Sequence, residues 1–142
     1  MFDYERKVEK NIKRNKKFID EFEQWLIEKG FAKKTIRKHL SNIDLYINDY
    51  LNYYDITKME DGMVDVYSFL NGWFIEKCLL TSRNSLKEMV SSVKKFYQCM
   101  SEKEYVKKED YKELCNLIKD NMDEFLDSID EFDNGTYYDL FD

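Results

Sequence analysis

Apolar residues return at alternating steps of three and four along most of this chain, the spacing of one face of an α-helix. Phe18, Ile19, Phe22, Trp25 and Leu26 form a first stripe, which predicts a helix over about residues 16–29. Asp20, Glu21, Glu23 and Glu28 fall off that stripe. Gly30 marks the stop, because a glycine just past a helix end takes the left-handed conformation cheaply. Ile36, Leu40, Ile43, Ile47, Tyr50 and Tyr54 form a second stripe and predict a helix over about 33–54. Upstream, Tyr4, Val8 and Ile12 recur every fourth residue among lysines and arginines, the pattern of a thin amphipathic helix or a basic arm.

Asp55 to Gly62 is a polar connector, and Asp61 is the candidate N-cap of a third helix over about 62–78. Val66, Tyr67, Leu70, Trp73, Phe74 and Cys78 line it, with Gly72 as a weak point suited to close helix approach. Thr81 or Ser82 caps a fourth helix over about 83–103, striped by Leu86, Met89, Val90, Val93, Phe96, Tyr97 and Met100. From Thr81 no Glu or Gln stands three residues on, so no capping box is expected. A fifth stripe from Tyr111 to Phe132 predicts a helix over about 108–132, closed by the turn dipeptide Asn134-Gly135. Thr136 to Asp142 read as a frayed end.

Composition agrees with this all-helical pattern. The 142 residues include 4 Gly and no Pro, so helix breakers are scarce. Apolar residues make up 43%, enough for a folded core in one domain despite 37% charged residues. The fold class expected is therefore all-α, a bundle of four to five helices with an acidic C-terminal helix. Three parts are expected: a basic arm or helix extension at 1–15, a helical domain at 16–107, and the acidic helix and tail at 108–142. The net charge is -6, yet Asp120 to Asp142 hold nine carboxylates and no Lys or Arg, which leaves residues 1–119 at +3. Twelve Lys or Arg face six Asp or Glu between Glu5 and Lys38. That asymmetry points to a charged partner surface.

Chemistry is sparse. The chain has no Gly-rich phosphate loop and no Cys-x-x-Cys pair. Its one histidine, His39, has no ligand or triad partner near it in sequence and reads as a half-buried helix residue. Cys78, Cys99 and Cys115 read as small buried hydrophobes. Acidic pairs such as Asp123/Asp127 lack the glycine-centred loop of a calcium site. No catalytic activity, cofactor or metal is expected. No apolar run reaches membrane-spanning length and no signal-peptide core opens the chain, so a cytoplasmic protein without membrane contact is the expectation.

The basic corner between the first two helices carries a further pattern. Gly30-Phe31-Ala32-Lys33-Lys34-Thr35-Ile36, continuing through Ile43 and Tyr46, resembles the core-binding domain of tyrosine recombinases, the phage-type integrases. Gly30, Thr35, Ile36, Ile43 and Tyr46 match that family's pattern; Phe31, Ala32 and His39 depart from it. A second block, Ser92-Val93-Lys94-Lys95-Phe96-Tyr97 followed by Glu104-Tyr105-Val106, is similar to the family's fourth helix and its exit turn. The resemblance covers about residues 16–107 and implies an orthogonal, SAM-like bundle of the integrase core-binding type that clamps one side of a DNA duplex. Carried over by position, it implies DNA contacts from Lys33, Lys34, Thr35, Arg37 and Lys38, with Ser82, Arg83, Asn84 and Lys87. The family's catalytic half, with its His-x-x-Arg and nucleophilic Tyr, has no counterpart after Val106, and its usual exit proline is missing.

Two functions follow as expectations. The first is a non-catalytic module for double-stranded DNA, since cations on a helix start meet phosphates while opposing the helix dipole. The second is a helical protein-interaction module, accessory or regulatory. Its acidic C-terminal helix would contact a recombinase or other basic partner, mask the basic corner, or mimic DNA.

Overall fold

The computed structural model describes residues 2–77 and 81–141, with side chains described as far as Phe132 in the last helix. Among these residues there is no strand. The basic arm and the first stripe form one uninterrupted helix, α1 (Phe2–Glu28). Gly30 ends it with φ of 84°. Its N–H bonds Ile27 O at 3.0 Å and the Phe31 N–H bonds Leu26 O at 3.3 Å, the paired bonds of a Schellman ending.

The second stripe becomes α2 (Lys33–Asp44) and then widens into a π-helical turn over Leu45–Tyr50. The widening shifts the buried face. Leu51 is buried, whereas Tyr54, expected on the stripe, is 72% exposed because the chain has already left the helix in a turn. The expected third helix is broken up. A 3-10 turn spans Met59–Asp65, followed by a short α-helical piece, α3 (Val66–Ser68), a π-helical turn (Phe69–Trp73) and α4 (Phe74–Lys77). Asp61 is not its cap; it sits exposed within the 3-10 turn, which starts after Lys58 without a side-chain cap. Close approach occurs at Gly62 rather than Gly72. A Cβ on Gly62 would lie 2.7 Å from both Leu51 Cδ1 and Tyr97 Oη, while one on Gly72 would meet nothing within 4 Å. The Tyr46 hydroxyl donates to Gly62 O and that of Tyr97 to Met59 O, so the turn lies flat against the core. Cys78 lies outside the described residues.

Helix α5 (Arg83–Glu102) buries its whole expected stripe. A capping box does form, with Ser82 as the cap: its Oγ accepts from Ser85 N at 3.1 Å, and Ser82 N donates to Ser85 Oγ at 2.7 Å. Here serine does the work expected of Glu or Gln. At the far end Glu104 takes the left-handed position with φ of 64°, where glycine is the usual choice. Helix α6 (Lys108–Phe141) runs straight through Asn134-Gly135, so the expected turn and frayed end are replaced by helix. It packs against α5 and the segments after Met59. Cys99 is buried, which pushes its thiol up to about 12, while Cys115 is only partly buried.

Two asparagines on α1 do what the apolar pattern could not foretell. Asn11 and Asn15 are buried, while Tyr4 and Ile12 stay partly in water. The π-helical turn and the chain after it leave carbonyls without regular partners, and side chains fill that role. Asn15 Nδ2 donates to Ile47 O at 3.2 Å, and Asn52 Nδ2 to Asn48 O at 2.8 Å. The Tyr4 hydroxyl donates to Asn52 O. Asn11 Nδ2 bonds Asn52 Oδ1 at 2.8 Å. Arg14 grips the Glu60 carboxylate with both of its terminal nitrogens. The first half of α1 is thus held by a polar seam and its second half by the aromatic core.

Candidate nucleic-acid interface

Helix α2 begins after Ala32, whose extended backbone offers no side-chain cap, and its first turn carries no acid. Lys33, Lys34, Arg37 and Lys38 are all exposed, and Thr35 is half-buried. The helix is held in place by its other side, where Ile36 and Ile43 enter the core. Lys33 and Arg37 border α1, sharing with Glu23, Ile27 and Ile36 a cleft of about 490 Å³. Lys34 lies further round the helix and Lys38 further still, next to α5.

Side-chain contacts join α2 and the turn before it to α5. Lys38 Nζ meets Glu88 Oε1 at 2.9 Å. Lys95 Nζ stands 5.6 Å from the centre of the Phe31 ring and 2.9 Å from Ser91 Oγ. Asn42 Nδ2 donates to Ser92 Oγ at 2.9 Å. From this edge the helical spacing leads through Ser91 to Lys87, Lys94 and Arg83. Lys87, Lys94 and Lys95 border a shallow cleft of about 420 Å³ that ends at Tyr111 of α6. The cations of α2 and those of α5 therefore occupy one continuous surface, with Glu88 as the acid between them.

Not every expected contact is free on this surface. The Ser82 hydroxyl is engaged in the capping box. Arg83 turns to α6, where its Nη1 meets Asp130 Oδ2 at 2.8 Å. Asn84 and Lys87 are exposed. Lys94 and Lys95, spaced seven and eight from Lys87 and off the apolar stripe, belong to the same surface, although the resemblance implied no DNA contact for them. The two interhelical pairs, Lys38–Glu88 and Arg83–Asp130, are both about half in water, where such pairs contribute about 0–1 kcal/mol. They lie where α2 adjoins α5 and where α5 adjoins α6.

His39 lies beneath the strip, more deeply than its place in the sequence suggested, at 7% exposure. Its Nδ1 is 2.7 Å from Ser92 Oγ. Ser92 Oγ donates to Glu88 O at 3.0 Å, so the proton of the shorter contact belongs to His39 Nδ1. Burial holds the imidazole below its ordinary value, and Lys95 adds to that. The unfolded chain therefore takes up this proton first as pH falls. The contribution is fully present above about pH 6.5 and is lost as pH drops through the folded-state value. Urea midpoints should fall between pH 7.5 and 5 in the parent, and fall less in His39→Gln; equal slopes would show that His39 is not the group responsible.

Among the described residues, no cluster of three or more His, Cys, Asp or Glu side chains is arranged to hold a metal ion, and no helix is long and apolar enough to cross a membrane. Compared with known proteins, the chain matches no family model, no curated protein and no solved structure.

Proposed function

We propose that this chain is a non-catalytic DNA-binding module, a cytoplasmic protein with an orthogonal, SAM-like bundle of the integrase core-binding type that grips duplex phosphates with the joint α2–α5 surface. The observation that carries this reading is the seam at Lys38–Glu88 and Lys95–Phe31, where two cationic stretches about fifty residues apart in sequence come together. A strip of long cations with few acids between them suits a phosphate backbone, and it carries charge without base-reading geometry. Affinity of the intact chain for a short duplex should fall steeply with salt. A log–log slope steeper than about -3 is expected, the value for three to four neutralised phosphates. A flat salt series, or no binding at low salt, would remove this reading.

The Arg83–Asp130 pair favours a second reading, a helical protein-interaction module in which acidic α6 covers part of the strip and answers to a recombinase or other basic partner. The same titration separates the two. If α6 competes with DNA, Asp130→Asn frees Arg83 and tightens duplex binding. If α6 is the binding surface itself, the duplex is ignored by both chains.

A further inference from the structure

A second surface lies across α5 from the basic strip. Tyr97 projects from the buried face of α5 and donates to Met59 O at 2.9 Å, which seats the 3-10 turn on the side of α5 away from Ser91 and Lys95. Between this turn and the first turns of α6 runs a groove of about 360 Å³. Its floor is apolar. Met63 and Leu114 are buried there, Leu117 is half-buried, and Val64 forms a lip at 81% exposure, the most exposed of the large hydrophobic side chains described. Its rim is acidic, with Asp61 on the turn and Asp110 and Glu113 on α6, all exposed. Glu60, the fourth carboxylate, is already held by Arg14. None of the other three has an ion-pair partner among the described residues, and no Lys or Arg lines the groove. Lys107 and Lys108 line the adjoining cleft beyond Asp110, which bounds the acidic stretch at that end.

We infer that this groove docks a cationic amphipathic segment of a partner protein, with a bulky apolar side chain seated on Met63, Leu114 and Leu117 and flanking lysines or arginines reaching Asp61, Asp110 and Glu113. An exposed valine alone is ordinary on a protein surface. Three unpaired carboxylates around an apolar floor are complementary to one kind of occupant, since an acidic peptide is repelled and a purely apolar one leaves the rim unanswered. A groove of this volume lies within the range of about 300–1,000 Å³ typical of ligand pockets. The inference does not rest on DNA binding, because the two surfaces share no residue.

The test uses the full chain and a fluorescently labelled helical peptide of lysine and leucine, with the leucines four residues apart. A control peptide has serine in place of every leucine. The leucine peptide should bind at least tenfold more tightly than the serine control, and the triple variant D61K/D110K/E113K should lose that binding by at least tenfold. Val64→Asp should weaken it as well. All of the substituted side chains are exposed, so folding is kept, and the duplex salt series serves as an independent check on the strip. Equal binding of both peptides would mean only a diffuse acidic surface and would overturn the groove. Undiminished binding to the triple variant would place the peptide elsewhere on α6 and overturn it too.

Discussion

Replacing Lys33, Lys34 and Arg37 together with Glu should abolish duplex binding while leaving the protein as stable as its parent, or slightly more so. The three side chains are exposed and none forms an ion pair among the described residues, so no folded-state ion pair is lost. On the binding side, each lost phosphate contact removes about 1 from the salt slope, and the new carboxylates repel the backbone outright. On the folding side the sign is opposite. Cations in the first turns of α2 oppose the helix dipole, and Ala32 gives no compensating cap. Acids there contribute about 0.3–1 kcal/mol each in favourable cases. A filter-binding or anisotropy titration at low salt, run beside thermal melts, reads both effects. Loss of binding with an unchanged or raised melting temperature is the expected signature, and binding as tight as the parent's would rule out this corner. Lys38 is left out of the variant because it is paired with Glu88, and reversing it would mix a lost ion pair with a lost contact.

Phe22→Ala should give the largest loss of stability, about 3–5 kcal/mol, the usual range for emptying a buried aromatic site. Phe22 is fully buried, meets Phe96 edge to face at 5.3 Å and stacks on Trp25 at 6.1 Å. It is where α1 locks onto α5. For a domain of this size the loss corresponds to roughly 10–15 °C in melting temperature. It is also a large part of the roughly 5–15 kcal/mol available to a typical domain. Urea unfolding measures it directly. A cost under 1 kcal/mol would mean that α1 does not pack on α5 through this ring.

Much of the helical layout is legible in the residues because burial drives it. The stripes of Phe18 to Leu26 and Leu86 to Met100 point inward as the period of 3.6 requires, and Gly30 stops α1 for a conformational reason visible in one residue. The failures have physical causes too. The π-helical turn at Leu45–Tyr50 changes the local period, so extending one stripe to Tyr54 goes wrong after Tyr50. The turn at Met59–Asp65 is seated by Tyr46 and Tyr97, residues far off in sequence, so local cap chemistry at Asp61 misleads. Asn134-Gly135 carries a turn signal, yet α6 continues through it.

The binding strip divides in the same way. That Lys33, Lys34, Arg37, Lys38 and Lys87 are exposed follows from where the stripes lie. That Lys38 meets Glu88, or that Arg83 turns to Asp130, depends on how whole helices dock, and no local spacing records that. Asn11 and Asn15 are the sharpest case. A polar residue on a buried face is unreadable until the oxygens it serves are known, and those belong to the π-helical turn, for Asn15, and to the chain after it, for Asn11, more than thirty residues on.

The polar seam of α1 divides one continuous helix into halves fastened in different ways. Phe18, Phe22, Trp25 and Leu26 are released only when the aromatic core itself comes apart. Tyr4, Asn11 and Arg14 hold the first half through hydrogen bonds and one ion pair, contacts of the kind that local opening releases before a packed core. The seam also fixes the register, because α1 shifted by a turn would leave Asn15 facing the wrong carbonyl.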